Sequence, residues 1–143
     1  LWLKVTCLES RPRAPEFSLL ARPSGAEFYS LTSLHPVILE PPSGGVMEMI
    51  AKGDRADSQS AIERSSKVLL RFFADPRTKE VAVTRKGLRL IWQADEGHRG
   101  QHLVFRQCRF DRADVDPAVL ARLLSDLDEL GSSCDEQSEV KAA

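Results

Sequence analysis

The chain has 143 residues, 42% of them hydrophobic and 29% charged, and a formal net charge of −1. That length is the common size of a single domain and lets roughly two-thirds of the unfolded surface be buried, so folding requires neither a metal nor a disulfide. The composition excludes wholesale disorder, and no apolar run nears the ~20 residues that span a bilayer; the run Val68-Leu69-Leu70 stops at Arg71. A soluble protein is the expectation.

The chain opens on Leu1 with no initiator Met, basic n-region or small-residue cleavage site, and reads as a fragment or processed product with no signal peptide in view. Cys7, Cys108 and Cys134 are odd in number, far apart and without a Cys-x-x-Cys pair. That pattern argues against a disulfide framework. It predicts buried thiols at Cys7 and Cys108, an inert tail thiol at Cys134, and a cytoplasmic or other reducing compartment.

In chain order, Leu1, Leu3 and Val5 alternate with Trp2, Lys4 and Thr6, the period of a half-buried strand. A breaker run from Ser10 to Pro15 ends it. Residues 17–21 and 27–31 flank Arg22-Pro23-Ser24-Gly25, a hairpin turn because Pro presets φ and Gly accepts positive φ. Residues 36–39 give a fourth strand, stopped by Pro41-Pro42-Ser43-Gly44-Gly45, and the stretch from there to Asp57 reads as loop. Ser60 with Glu63 fits a capping box that opens a helix, in which Ile62, Val68, Leu69, Leu70, Phe72 and Phe73 form the apolar stripe. Asp75-Pro76 ends it, since proline disfavours a helical residue before it.

Residues 80–84 and 88–93 then read as a hairpin around Arg85-Lys86-Gly87, with Leu88, Leu90 and Trp92 on one face. Residues 95–100 read as loop and 102–110 as a further strand. The last element is a helix capped by Asp116, with Pro117 at its first position and Leu120, Leu123, Leu124, Leu127 and Leu130 as a stripe up to Gly131. The fold class expected is α+β: a mostly antiparallel sheet or roll of about seven strands, one internal helix and one C-terminal amphipathic helix. Residues 1–131 form the single domain, and 132–143 a disordered acidic tail. Alanine at Leu123 or at Leu124 is expected to lower the melting temperature markedly.

Catalytic and metal motifs are not apparent. His35, His98 and His102 are the only histidines, and none sits in a nucleophile-elbow or Cys-His signature. His98 and His102 are four apart, but Gly97 and Gly100 deny the helix on which that spacing would place two ligands together. Neither Gly44-Gly45 nor Gly97 with Gly100 resembles a phosphate-cradling loop. The expectation is a chain that is not an enzyme, with no cofactor and no metal. A hydrolase or metal-dependent enzyme would need one of those histidines to converge with a Cys, Ser or acid.

Charge is unevenly laid out. Residues 64–112 hold twelve Lys and Arg against five Asp and Glu, or +7; residues 1–63 give −2 and residues 113–143 give −6. Two readings stay open. In one, the acidic C-terminal helix and tail screen the basic middle. In the other, Arg85, Lys86, Arg89, Arg106 and Arg109 share a sheet surface that receives an anionic partner, such as an acidic or phosphorylated peptide or a lipid head group. Nucleic acid is the weakest choice, because the pI is 6.4 and the aromatics form no platform with basic flanks.

The stretch Lys79-Glu80-Val81-Ala82-Val83-Thr84-Arg85-Lys86-Gly87-Leu88-Arg89-Leu90-Ile91, preceded by a helix, resembles the central hairpin of a phosphotyrosine-binding domain. Seven strands followed by a helix is also the element count of the pleckstrin-homology and phosphotyrosine-binding superfold. The resemblance covers about a third of the chain, and the helix of this sequence comes sooner after its last strand. It implies an adaptor-type domain that binds a peptide by adding a strand beside an edge strand and the C-terminal helix. It assigns no binding residue. The function expected is thus a non-enzymatic interaction domain, binding a protein or peptide through a sheet edge or a basic surface. A structural subunit is its neighbour, with Trp2, Phe17, Phe28 or Trp92 forming an exposed apolar patch.

Overall fold

The computed structural model describes residues 1–9, 15–21, 35–95, 97, 110 and 114–140. Among them are strands β1 (Trp2–Leu8), β2 (Phe17–Ala21), β3 (Val37–Leu39), β4 (Met49–Gly53), β5 (Thr78–Thr84) and β6 (Gly87–Gln93), and helices α1 (Ser58–Arg64), α2 (Ser66–Phe73) and α3 (Pro117–Val140). The strands make one antiparallel sheet in the order β1-β6-β5-β2-β4-β3. The α+β class read from the sequence is what the chain adopts.

Strand alternation decides which side chains meet the helices, because successive residues point to opposite faces. Leu88, Leu90 and Trp92 of β6, Val81 and Val83 of β5, and Phe17 and Leu19 of β2 join Ile62, Val68, Leu69, Phe72 and Phe73 in one buried core. Leu123, Leu127 and Leu130 of α3 complete it, each with no exposed surface. Burying a leucine stabilises by roughly 1.5–3 kcal/mol, so these three anchor α3 to the domain. On the opposite face, Ser18, Glu80, Ala82, Ile91 and Gln93 are buried as well. The centre of the sheet is therefore covered on both faces, and the second face reaches solvent at its two ends, at Lys4, Thr6 and Leu8 of β1 and at Ile38 of β3.

The β5–β6 hairpin closes through Arg85 and Lys86, with Gly87 at a φ of +134°. A side chain is excluded there, since a Cβ on Gly87 would lie 1.9 Å from the Cys7 carbonyl oxygen of the neighbouring strand. Asp116 caps α3 as its sequence implies: its Oδ1 accepts from the Ala118 amide at 2.8 Å, and Pro117 takes the first helical position.

Several expectations are corrected. The stretch before Asp57 contains β4, a strand whose sequence (Met-Ile-Ala-Lys-Gly) has weak intrinsic preference and forms because β2 and β3 pair with it on either side. β2 has β4 on one side and β5 on the other, so it does not form the hairpin expected around residues 22–25; residues 27–31 lie outside the described residues, as do 102–109. Ser60 does not cap a helix. α1 starts at Ser58 after Asp57, and Glu63 accepts instead from Gln59 Nε2 at 3.4 Å. The single helix expected from Ser60 is two, interrupted at Ser65, whose amide still donates to Ala61 O and whose carbonyl accepts from Leu69.

α3 passes through Gly131 and reaches Val140, so the polar segment expected to be disordered is helical as far as residue 140. Gly131 is buried and keeps a negative φ, whereas a glycine stop needs the left-handed region. Leu124 is 39% exposed and belongs to the outer side of α3, unlike Leu123 one position before it. Phe17 and Trp92 are core residues rather than parts of an exposed patch; Phe28 lies outside the described residues. No helix among the described residues is long and apolar enough to cross a membrane.

Candidate functional site

Of the basic residues singled out by the charge layout, Arg85, Lys86 and Arg89 are among the described residues. Arg85 and Lys86 occupy the β5–β6 turn at the end of the sheet and are both exposed. Arg85 turns onto Glu16: its amide donates to Oε2 at 3.0 Å, and its Nε lies 3.4 Å from Oε1. Arg89 stands two residues into β6, on the face away from the helices. Its side chain is only 13% exposed, and one guanidinium nitrogen lies 3.4 Å from the fully buried Glu80 carboxylate. Arg106 and Arg109 are outside the described residues. Arg89 is thus paired inside the fold, whereas Arg85, with Glu16 beside it, and Lys86 are exposed at the turn.

A second polar centre, which no linear motif announces, joins the helices to the hairpin. Asp75, just past α2, accepts from the Arg77 amide at 3.0 Å, from Arg77 Nε and a terminal nitrogen at 3.1 Å, and from Trp92 Nε1 at 3.1 Å. Arg122 of α3 reaches the same carboxylate at 3.4 Å and Asp126 at 3.7 Å. Asp126, buried on α3, meets Arg71 Nε of α2 at 2.8 Å, and Arg71 also bonds Glu129. Arg77 stacks over the Trp92 ring at 4.3 Å, a cation–π contact. Burial alone would raise the Asp75 pKa, but the hydrogen bonds from Arg77 and Trp92 outweigh it and hold the carboxyl below its ordinary value. Every member of this chain of charges has an opposite charge beside it, which makes it a clamp between α2, α3 and β6.

The third place is the edge of the sheet at β1, which pairs only with β6 among the described residues. Its hydrogen-bond parity can be read from both ends. Leu1 O accepts from Ala94 N at 2.9 Å, and Glu9 N donates to Lys86 O at 3.0 Å. In an antiparallel ladder such bonded pairs recur at every second residue. Leu3, Val5 and Cys7 therefore spend their backbone groups on β6, while the amides and carbonyls of Lys4, Thr6 and Leu8 point outward. Those three residues are exposed, Leu8 at 76%. On the helix side of the same strand, Leu3, Val5 and Cys7 are only half covered by the core they pack against. Burial raises the Cys7 thiol pKa, and Asp128 of α3 and Glu9 add to it. The thiol is thereby kept protonated.

Among the described residues no group of three or more His, Cys, Asp and Glu gathers in a way that could hold a metal. His35 is half-buried, and His98 and His102 lie outside the described residues. No family model, no curated protein and no solved structure matches the chain.

Proposed function

We propose that this chain is a protein-interaction domain that receives an extended segment of a partner along β1. The observation that carries the reading is the ladder parity: three alternate positions, Lys4, Thr6 and Leu8, present backbone donors and acceptors on the side of β1 that pairs with no other strand among the described residues. Strand addition uses such an edge, with main-chain hydrogen bonds supplying affinity and alternate side chains supplying selectivity. The half-covered Leu3, Val5 and Cys7, with α3 next to them, would take the partner's inward side chains. The resemblance of the central hairpin to a phosphotyrosine-binding domain carries the same expectation, a peptide seated between an edge strand and the C-terminal helix.

The test is a Thr6→Pro variant. Proline at this position deletes an outward N–H and leaves the β6 ladder whole, a placement that edge strands tolerate. Peptides selected on the wild-type protein from a random library should bind Thr6→Pro at least about tenfold more weakly, as the loss of one or more main-chain hydrogen bonds implies. Equal affinity for a folded Thr6→Pro protein would overturn strand addition. If Lys86→Glu and raised salt abolished binding instead, the basic hairpin turn would be the surface.

A further inference from the structure

Resting on the strand-addition reading, we infer that the segment received by β1 alternates apolar and acidic residues, its acidic side chains on the face of Lys4 and its apolar ones toward α3. The two faces of the edge differ in charge. On the outer face, Lys4 is exposed, Thr6 follows it at the next position on that face and is paired with Arg89, and Lys86 stands in the turn beyond Leu8. No carboxylate among the described residues is ion-paired with Lys4. On the helix side, Leu3, Val5 and Cys7 are apolar and half-buried, and Asp128 is close enough to act on Cys7. An acidic side chain entering there would meet both a desolvating surface and a like charge, whereas on the outer face it meets Lys4 directly across the strand.

A second copy of this chain fits less well. Antiparallel self-pairing centred on Val5 sets Lys4 opposite Thr6 of the other copy and leaves it without a counter-charge; pairing centred on Lys4 sets two lysines face to face. A lysine on an edge strand is a known way of discouraging such edge-to-edge association. It leaves the edge open to a strand of complementary charge.

Two fluorescein-labelled peptides, Ser-Glu-Val-Glu-Leu-Glu-Val-Ser and Ser-Lys-Val-Lys-Leu-Lys-Val-Ser, would be titrated with the chain at low ionic strength, followed by anisotropy. The acidic peptide should bind about fivefold or more tightly than the basic one, the worth of a cross-strand ion pair against a like-charge pair. Lys4→Glu should invert the preference, and Thr6→Pro should remove binding of both. If both peptides bound equally to wild type and to Lys4→Glu, with Thr6→Pro still abolishing binding, the charge inference would fall while strand addition stood. Binding unaffected by Thr6→Pro would end both. Failure of the acidic peptide to bind wild type, or a dimer in sedimentation that Thr6→Pro dissolves, would overturn the inference as well.

Discussion

β6 has two different neighbours, and the contrast between them separates what holds this protein together from what it offers to others. Toward α2 and α3, its Trp92 is enclosed: the ring is buried, its Nε1 is bonded to Asp75, and Arg77 lies over its face. Toward β1, the ladder is complete on one side, and on the other no strand among the described residues pairs with it. The first region meets every buried charge with a partner from another element, so its polar groups fix how the helices sit. The second has exposed residues at Lys4, Thr6 and Leu8 whose main-chain groups face away from β6, the side on which a partner strand would pair. Rigidity and availability are built on the same few strands, a register position or two apart.

The largest effect expected from breaking the enclosed side is at the α3 leucines. Leu123→Ala or Leu127→Ala removes a side chain with no exposed surface and should lower stability by ~2–5 kcal/mol in denaturant unfolding. Leu124→Ala, one residue along the same helix but 39% exposed, should cost less than about 1 kcal/mol. Similar losses for Leu123→Ala and Leu124→Ala would mean that α3 packs with a different face inward.

That comparison marks how far the sequence could be read. The leucine stripe was visible in it, as were the cap at Asp116 and the strand partition of Leu88, Leu90 and Trp92, because each depends on neighbours within a few residues. Leu124 was not separable from Leu123, since a stripe five leucines wide on a helix covers more surface than one partner can bury. β4 was invisible for the opposite reason: Met49–Gly53 carries almost no local strand signal, and its conformation is imposed by β2 and β3. The clamp joins positions 75, 77, 92, 122 and 126, a spacing that no motif encodes. Asp75 was legible only as the residue before a proline. The charge layout showed the basic middle as composition but not the partners of its residues: Arg85 has Glu16 beside it and Arg89 has Glu80, while Arg106 and Arg109 lie outside the described residues. The edge position of β1 had one signal in the sequence, Lys4 set within an alternating apolar strand.

A smaller effect should come from the clamp itself. Asp75 side-chain exposure is 12%, and Asp75→Asn keeps its shape while removing the charge that Arg77 and Arg122 share. Hydrogen bonds to charged groups contribute about 1.5–3 kcal/mol each in favourable cases, so a loss of roughly 1–3 kcal/mol is expected. The pH dependence has a definite sign. The folded Asp75 carboxyl lies below its ordinary value of 3.8, so its contribution is fully present above the unfolded pKa and is lost as pH falls through the folded one. Unfolding midpoints measured between neutral pH and pH 3 should therefore fall less steeply for Asp75→Asn than for the wild type below about pH 4.5. Parallel curves would show that the clamp adds nothing to stability.

The smallest expected change in stability is the one that sharpens the contrast most. Val5→Pro removes an amide that β6 uses and strands the carbonyl opposite it, a loss of about 1–3 kcal/mol. Thr6→Pro, its immediate neighbour, removes an amide that faces outward, and stability should change by less than about 1 kcal/mol. Two adjacent prolines in one strand would then differ through ladder parity, with the loss of the half-buried Val5 side chain adding to the effect on the inner side. Thermal melts of the two variants read this directly. Equal destabilisation by both would mean that the amide of Thr6 is already engaged, and the edge that strand addition requires would be closed.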